Sequence, residues 1–202
     1  MANAALKERI NTTNTSIVLV DHQIGTIGWV YSLPRQTVIN STRVLARMAV
    51  TYGMPLFLTT TMEEYVGATM PELVAVAEDA FARRFKRGGE LCAFDDATLS
   101  DAVKAAGRKK LVLAGLTTDI CLFWAADAAV RQGYDVTVVA DACGTMTALG
   151  DQTTFDRLRD MGVTVAGINQ VVTELVNNFG TPEGQKAQQI MSDEIISKLG
   201  AA

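Results

Sequence analysis

The stretch Leu111-Val-Leu-Ala-Gly-Leu-Thr-Thr-Asp-Ile-Cys121 decides the fold. Its apolar run, residues 111–114, reads as a buried strand that stops at Gly115, a residue suited to a tight turn. Thr117, Thr118 and Asp119 are helix N-cap types, and residues 121–130 continue with helical spacing. Strand, turn and helix make one βα step. A cysteine in the first turn of that helix lies at the positive end of the helix dipole, beside unpaired N–H groups. Both features favour a thiolate, and the same N–H groups suit a developing oxyanion.

The same alternation continues in both directions. Residues 17–20 form a short apolar strand ending at Asp21. Residues 34–52 are helical, with Val38, Val44, Leu45 and Met48 facing inward and Gly53 as C-cap. A strand follows at 55–60, then helices at 71–78 and at 97–106, the latter closed by Gly107. After the central strand 111–114 come a helix at 119–132 stopped by Gly133, a strand at 136–140 and a helix at 151–161. A strand at 163–166 and a helix at 170–178 complete the pattern. Repeated βα units imply an α/β, three-layer, mostly parallel sheet with helices on both faces. In such sheets the ligand crevice lies beyond the carboxyl ends of the strands. Asp21, the run Thr59-Thr60-Thr61, residues 115–121 and Asp141-Ala-Cys143 all fall there.

Composition bounds the function. The 202 residues fit one domain, 1–202, with its core at about 16–178. With 49% hydrophobic and 20% charged residues, the chain has the makings of a buried core rather than of disorder. A net charge of −4 leaves no electrostatic footprint for nucleic acid or an anionic membrane. No apolar run approaches the ~18 residues of a membrane span. Residues 1–14 lack the apolar core of a signal peptide. Three cysteines, an odd and sparse set, read as reduced thiols of a cytoplasmic protein. The tail 181–202 is a polar helix candidate carrying Ile190, Ile195, Ile196 and Leu199, either an ordinary C-terminal helix or an arm docked on a neighbouring subunit.

Cys121 needs a base, since a free thiol with a pKa of ~8.5 is mostly protonated at neutral pH. The single histidine, His22, directly follows Asp21, and neighbours leaving a strand point to opposite sides, so only one of them faces the crevice. Asp21 serves if a cation balances it. Lys86 and Arg87 are the candidates, and by the same alternation only one of them reaches in. An Asp–cation–Cys trio allows proton transfer, attack by sulfur and electrostatic support. Cys92 and Cys143 read as packing residues, and an inert core role is the plain alternative for Cys121. Gln23, Trp29, Tyr31 and Thr60 are candidates for a substrate pocket, and one of Phe123 and Trp124 belongs to the core. A phosphatase reading lacks the second aspartate two positions after Asp21, where Gln23 stands. A nucleotide-binding module lacks any glycine-rich phosphate loop after the first strand.

Four pieces in order carry a resemblance: Val18-Leu-Val-Asp-His-Gln23, Phe85-Lys-Arg-Gly-Gly-Glu-Leu-Cys-Ala-Phe94, Ala114-Gly-Leu-Thr-Thr-Asp-Ile-Cys121 and Val138-Val-Ala-Asp-Ala-Cys-Gly-Thr145. With them the chain resembles the isochorismatase-like cysteine hydrolases, and among these the YcaC-type branch. The resemblance implies a six-stranded sheet of order 3-2-1-4-5-6, a nucleophile at Cys121 and an acid/base at Asp21. It implies a cation at Arg87, with Lys86 as the alternative, and a cis peptide at Leu116–Thr117 that turns the Thr117 N–H toward the oxyanion beside that of Cys121. Metal-binding nicotinamidase relatives use an aspartate and two histidines, which one histidine cannot supply, so no metal and no cofactor are expected. The implied activity is hydrolysis of a small amide or related C–N bond through a Cys121 thioester. The implied partners are a small-molecule substrate and copies of the chain itself, from a dimer up to an octamer. A catalytically silent or substrate-assisted assembly protein of the same fold is the alternative.

Overall fold

The computed structural model describes residues 7–199; residues 1–6 and 200–202 of the expected domain and tail lie outside the described residues. Strand β1 (Thr15–Val20) is buried along its whole length, as a strand covered on both faces must be. It pairs in parallel with β2 (Leu56–Thr61) on one side and β4 (Lys110–Gly115) on the other. Beyond β2 lies β3 (Phe85–Arg87), and beyond β4 lie β5 (Asp135–Val139) and β6 (Thr164–Ala166). The result is a six-stranded sheet of order β3-β2-β1-β4-β5-β6, parallel at every pairing. Chain direction across the sheet reverses between β1 and β4. That switch point, where doubly wound sheets open a crevice, lies between the strands that lead into Asp21 and toward Cys121.

Ten α-helices surround the sheet among the described residues. They are α1 (Ile24–Gly28), α2 (Arg35–Tyr52), α3 (Glu63–Val66), α4 (Pro71–Val74), α5 (Glu78–Ala82), α6 (Ala97–Ala105), α7 (Phe123–Arg131), α8 (Ala148–Asp160), α9 (Ile168–Val176) and α10 (Pro182–Glu194). Helix α2 packs with α4, α9 and α10, while α7 packs with α8. All four inward candidates of α2, Val38, Val44, Leu45 and Met48, are fully buried, each such side chain contributing roughly 1.5–3 kcal/mol of transfer free energy. Gly53 ends α2 at a φ of 62°, a left-handed conformation that glycine adopts without a Cβ clash.

Several expected boundaries shift. The helix expected at 71–78 is two short ones, α4 and α5, because 75–77 break the ladder between them. The helices α1 and α3 fall in segments too short for periodicity to register. The helix expected at 119–132 begins as a π-helical turn, Thr118–Leu122, and becomes α-helical only at Phe123. Asp119 does not cap it; its carboxylate accepts a hydrogen bond from Thr145 Oγ1 at 2.6 Å.

The tail docks on its own chain. Ala187, Ile190 and Met191 of α10 are buried, and Glu194 accepts hydrogen bonds from Nε and Nη2 of Arg43 at 2.7 and 2.9 Å, from Arg47 at 2.9 Å and from Lys198 at 3.0 Å. Burial by itself would raise the Glu194 carboxyl, but the hydrogen bonds from Arg43, Lys198 and Arg47 outweigh it and hold the pKa at about 2. The described part of the tail therefore packs on α2 of the same chain. Among the described residues no helix is long and apolar enough to cross a membrane.

Candidate active site

Asp21 is the first residue past β1 and turns sharply out of the strand direction, with φ at 55°. Aspartate is among the few non-glycine residues that visit this left-handed region, at a cost of roughly 1–2 kcal/mol. Surrounding hydrogen bonds offset that cost. Its N–H donates to Thr59 O at 3.1 Å, and its carbonyl accepts from Gln23 N at 2.8 Å and Thr26 Oγ1 at 2.6 Å.

Arg87, the last residue of β3, meets this carboxylate two-pronged. Nη1 donates to Oδ1 at 2.9 Å and Nη2 to Oδ2 at 2.7 Å, with the side chains 1% and 0% exposed. Thr59 of β2 completes the cluster: its hydroxyl donates to Asp21 Oδ1 at 2.7 Å and accepts from Arg87 Nη1 at 3.1 Å. Arg87 Nε donates to the Glu90 carbonyl at 3.1 Å. Such fork-to-fork geometry fixes both planes, and the low local dielectric strengthens each bond. Burial works against the guanidinium charge, but hydrogen bonding and attraction to Asp21 prevail and keep it protonated.

Cys121 is the fourth residue of the π-helical turn and is 8% exposed. Its thiol lies near enough to Asp21 and Arg87 to feel the charge of both. Gly115 lets the turn approach this closely; a Cβ there would stand 2.9 Å from Val20 Cβ and 3.2 Å from Leu122 Cβ. The expectation of a stabilised thiolate is overturned. Burial first, and the Asp21 carboxylate second, push the Cys121 thiol up to about 12, and Arg87 offsets only part of that rise. A positive helix end, worth typically 0.3–1 kcal/mol, cannot compete with desolvation plus an adjacent anion. The resting group is a thiol with a base beside it.

Residues 15–170 match the family described as Isochorismatase domain. The chain belongs to the isochorismatase family. It falls in the YcaC-type branch: it is 34% identical over 155 residues to the probable hydrolase YcaC of Escherichia coli, covering 76% of this chain and 74% of that one. The solved E. coli YcaC, an octameric hydrolase of unknown specificity, superposes with a TM-score of 0.88 over 97% of this chain and 95% of its own, at 28% identity. YcaC from Pseudomonas aeruginosa, with hexane-2,5-diol and covalent acrylamide, gives 0.87 over 97% and 96%, at 26% identity. This isochorismatase-family protein is accordingly a hydrolase.

The remaining candidates of the hydrolase divide. Lys86 turns to the opposite face from Arg87, as strand alternation requires, and pairs with Glu63 at 2.9 Å, with 58% of its side chain exposed. Thr60 also turns away; its hydroxyl donates to Glu63 Oε1 at 2.9 Å. Its neighbour Thr59 is the one that joins the site, a residue the sequence reading passed over. Gln23 spends its amide on backbone, donating to Thr61 O at 2.9 Å and Gly67 O at 2.6 Å and accepting from Thr61 N at 2.8 Å. It clips the loops rather than presenting a free amide. Trp29 and Tyr31 are exposed just past α1, and Arg35 lies 4.8 Å over the Tyr31 ring. The Leu116–Thr117 peptide is cis, and the Thr117 N–H has no acceptor among the described residues.

His22 is buried with Nε2 3.0 Å from the Ala142 carbonyl, and burial lowers its pKa to about 4. Cys143 is buried with Sγ on Val139 O at 3.1 Å, and half-buried Cys92 donates to Trp124 O at 3.4 Å. Phe123 is core and Trp124 is exposed. Among the described residues no three His, Cys, Asp or Glu side chains converge in a metal-ligand set.

Proposed function

We propose that this hydrolase cleaves a small amide or related C–N bond through a thioester on Cys121, without a metal or other cofactor. The observation that carries the reading is the buried, two-pronged Asp21–Arg87 pair, with the Cys121 thiol near enough to feel both charges. A thiol at about 12 is a poor nucleophile alone, so its proton must leave as sulfur attacks, and Asp21 is the acceptor at hand. Sulfur bonds to the carbonyl carbon, and the oxyanion takes hydrogen bonds from the N–H groups of Thr117 and Cys121. The C–N bond then breaks as Asp21 returns its proton to the leaving amine. Water attacks the thioester, Asp21 takes the water proton, the C–S bond breaks and the thiol re-forms with release of the acid. Arg87 orients and neutralises Asp21 throughout; its pKa is too high for proton transfer.

The covalent acrylamide of the P. aeruginosa relative is in keeping with a nucleophilic side chain on this fold. The octamer of the E. coli relative supports a homo-oligomer here, and three free thiols are in keeping with a reducing, cytoplasmic setting. Ammonia release from a panel of small amides tests the reading. Turnover by the wild type and none by Cys121→Ala supports it; turnover retained by Cys121→Ala overturns it.

A further inference from the structure

The site's one buried cation has most of its hydrogen-bond donors committed. A guanidinium carries five N–H groups. Four of those of Arg87 go to Asp21 Oδ1, Asp21 Oδ2, the Thr59 hydroxyl and the Glu90 carbonyl. Its charge is matched by Asp21, so the pair is neutral in sum.

The other cations nearby are engaged elsewhere. Arg84 and Lys86 both hold Glu63, and Arg35 is bound to the carbonyls of Gly28 and Val30. His22 stays neutral on the Ala142 carbonyl. The acids close enough to Arg87 to feel its charge include Glu90 and Asp96. Among the described residues, therefore, no free positive charge faces the thiol.

What the loops do offer is apolar. Met62 donates its N–H to Arg87 O, Leu91 follows Glu90, Ile120 precedes Cys121, and Trp124 stands one turn after it. All four expose a large part of their apolar side chains, between 38% and 54%. Each is next to, bonded to or one helical turn from a residue of the site.

We infer that the site accepts uncharged small amides with apolar acyl groups and excludes those bearing a carboxylate. This rests on the hydrolase reading of Cys121. A carboxylate brought to the thiol would be desolvated beside the Asp21 carboxylate with no partner to receive it, the costly case for a buried charge.

Iodoacetamide and iodoacetate are near-isosteric and differ by that one charge. Their alkylation rates at Cys121 are measured by peptide mass spectrometry, in the folded protein and in the same protein unfolded in urea at the same pH. The ratio of the two rates cancels the thiolate fraction. The proposal predicts a ratio favouring iodoacetamide by at least about tenfold more in the folded protein than in the unfolded one, the equivalent of one pKa unit of differential interaction. Leu91→Arg, which supplies the missing cation at the rim, should bring the ratio back toward the unfolded value. A folded ratio equal to the unfolded one overturns the charge selectivity and leaves the nucleophile standing. A Cys121 that stays inert to both reagents in the folded protein even at pH 10, but is labelled when unfolded, overturns the hydrolase reading and this inference with it.

Discussion

Asp21→Asn should make Cys121 more reactive toward an alkylating agent while abolishing turnover. In the wild type, with the thiol at about 12, the thiolate fraction at pH 8 is on the order of 10⁻⁴. The asparagine keeps the shape but removes the anion that burial and hydrogen bonding set against the thiolate, and Arg87 remains beside the sulfur as an unbalanced cation. Burial, the larger cause, stays in place, so the thiol falls only part of the way toward the ordinary value of 9.0, and each pKa unit of that fall raises the thiolate fraction at pH 8 about tenfold. A less basic thiolate is also less nucleophilic, with a Brønsted slope of about 0.4–0.5, so the net gain in alkylation rate is about threefold per pKa unit. The substitution leaves a buried guanidinium without its counter-charge, at a cost of about 3–5 kcal/mol, so circular dichroism and a urea titration must accompany the rate to show a folded sample. Iodoacetamide labelling of Cys121, resolved by peptide mass spectrometry from pH 6 to 10, gives both the rate and the apparent pKa. A folded Asp21→Asn protein that labels no faster than the wild type would refute the claim that the Asp21 carboxylate holds the proton on sulfur.

Other consequences follow from the same geometry. Thr59→Val removes the hydroxyl that braces Asp21 Oδ1 and Arg87 Nη1, and should lower kcat about tenfold, the effect of about 1.4 kcal/mol in the barrier; Thr59→Ser should restore it, and equal loss in both variants would count against the brace. His22 binds its proton more weakly folded than unfolded, about 4 against 6.5, so its contribution is complete above pH 6.5 and is lost as pH falls toward 4. That amounts to about 3 kcal/mol; urea midpoints across the window should show the loss, and a His22→Gln protein should show a flatter slope there. Glu194, at about 2 against 4.5, contributes stability above pH 4.5 that disappears as pH falls toward 2. Glu194→Gln should therefore destabilise the protein near neutrality by about 3 kcal/mol, since it strands Arg43 and Arg47. An unchanged melting temperature would show that the cluster contributes nothing net.

Five strands were legible as short apolar runs ending at polar residues, whereas β3, Phe-Lys-Arg, is no such run; the sixth strand and the order followed from the family resemblance. The inward choice of Arg87 over Lys86 was legible in part, because alternation in a strand admits only one of the two. Thr59 was not. Three successive threonines end β2, and alternation says that Thr59 and Thr60 face oppositely without saying which faces the site. That choice depends on the register that sets Val20 beside Thr59, a long-range pairing invisible in a local window. The reading of Cys121 as a stabilised thiolate failed for a related reason. Helix dipoles are a local inference from the chain, whereas burial and the nearness of Asp21 are consequences of packing β1 against β4. Gln23 looked like a pocket residue because it follows Asp21, and only the folded loops show its amide tied to Thr61 and Gly67.

The central claim is a covalent acyl group on Cys121 during turnover. Acid-quenching the wild type with an amide that it hydrolyses, followed by intact-protein and peptide mass spectrometry, tests it most directly. The account predicts an acyl mass increment on the peptide carrying Cys121, absent in Cys121→Ala and removed by hydroxylamine. Turnover of that amide with no adduct on Cys121, or with the adduct on Cys92 or Cys143, would contradict it.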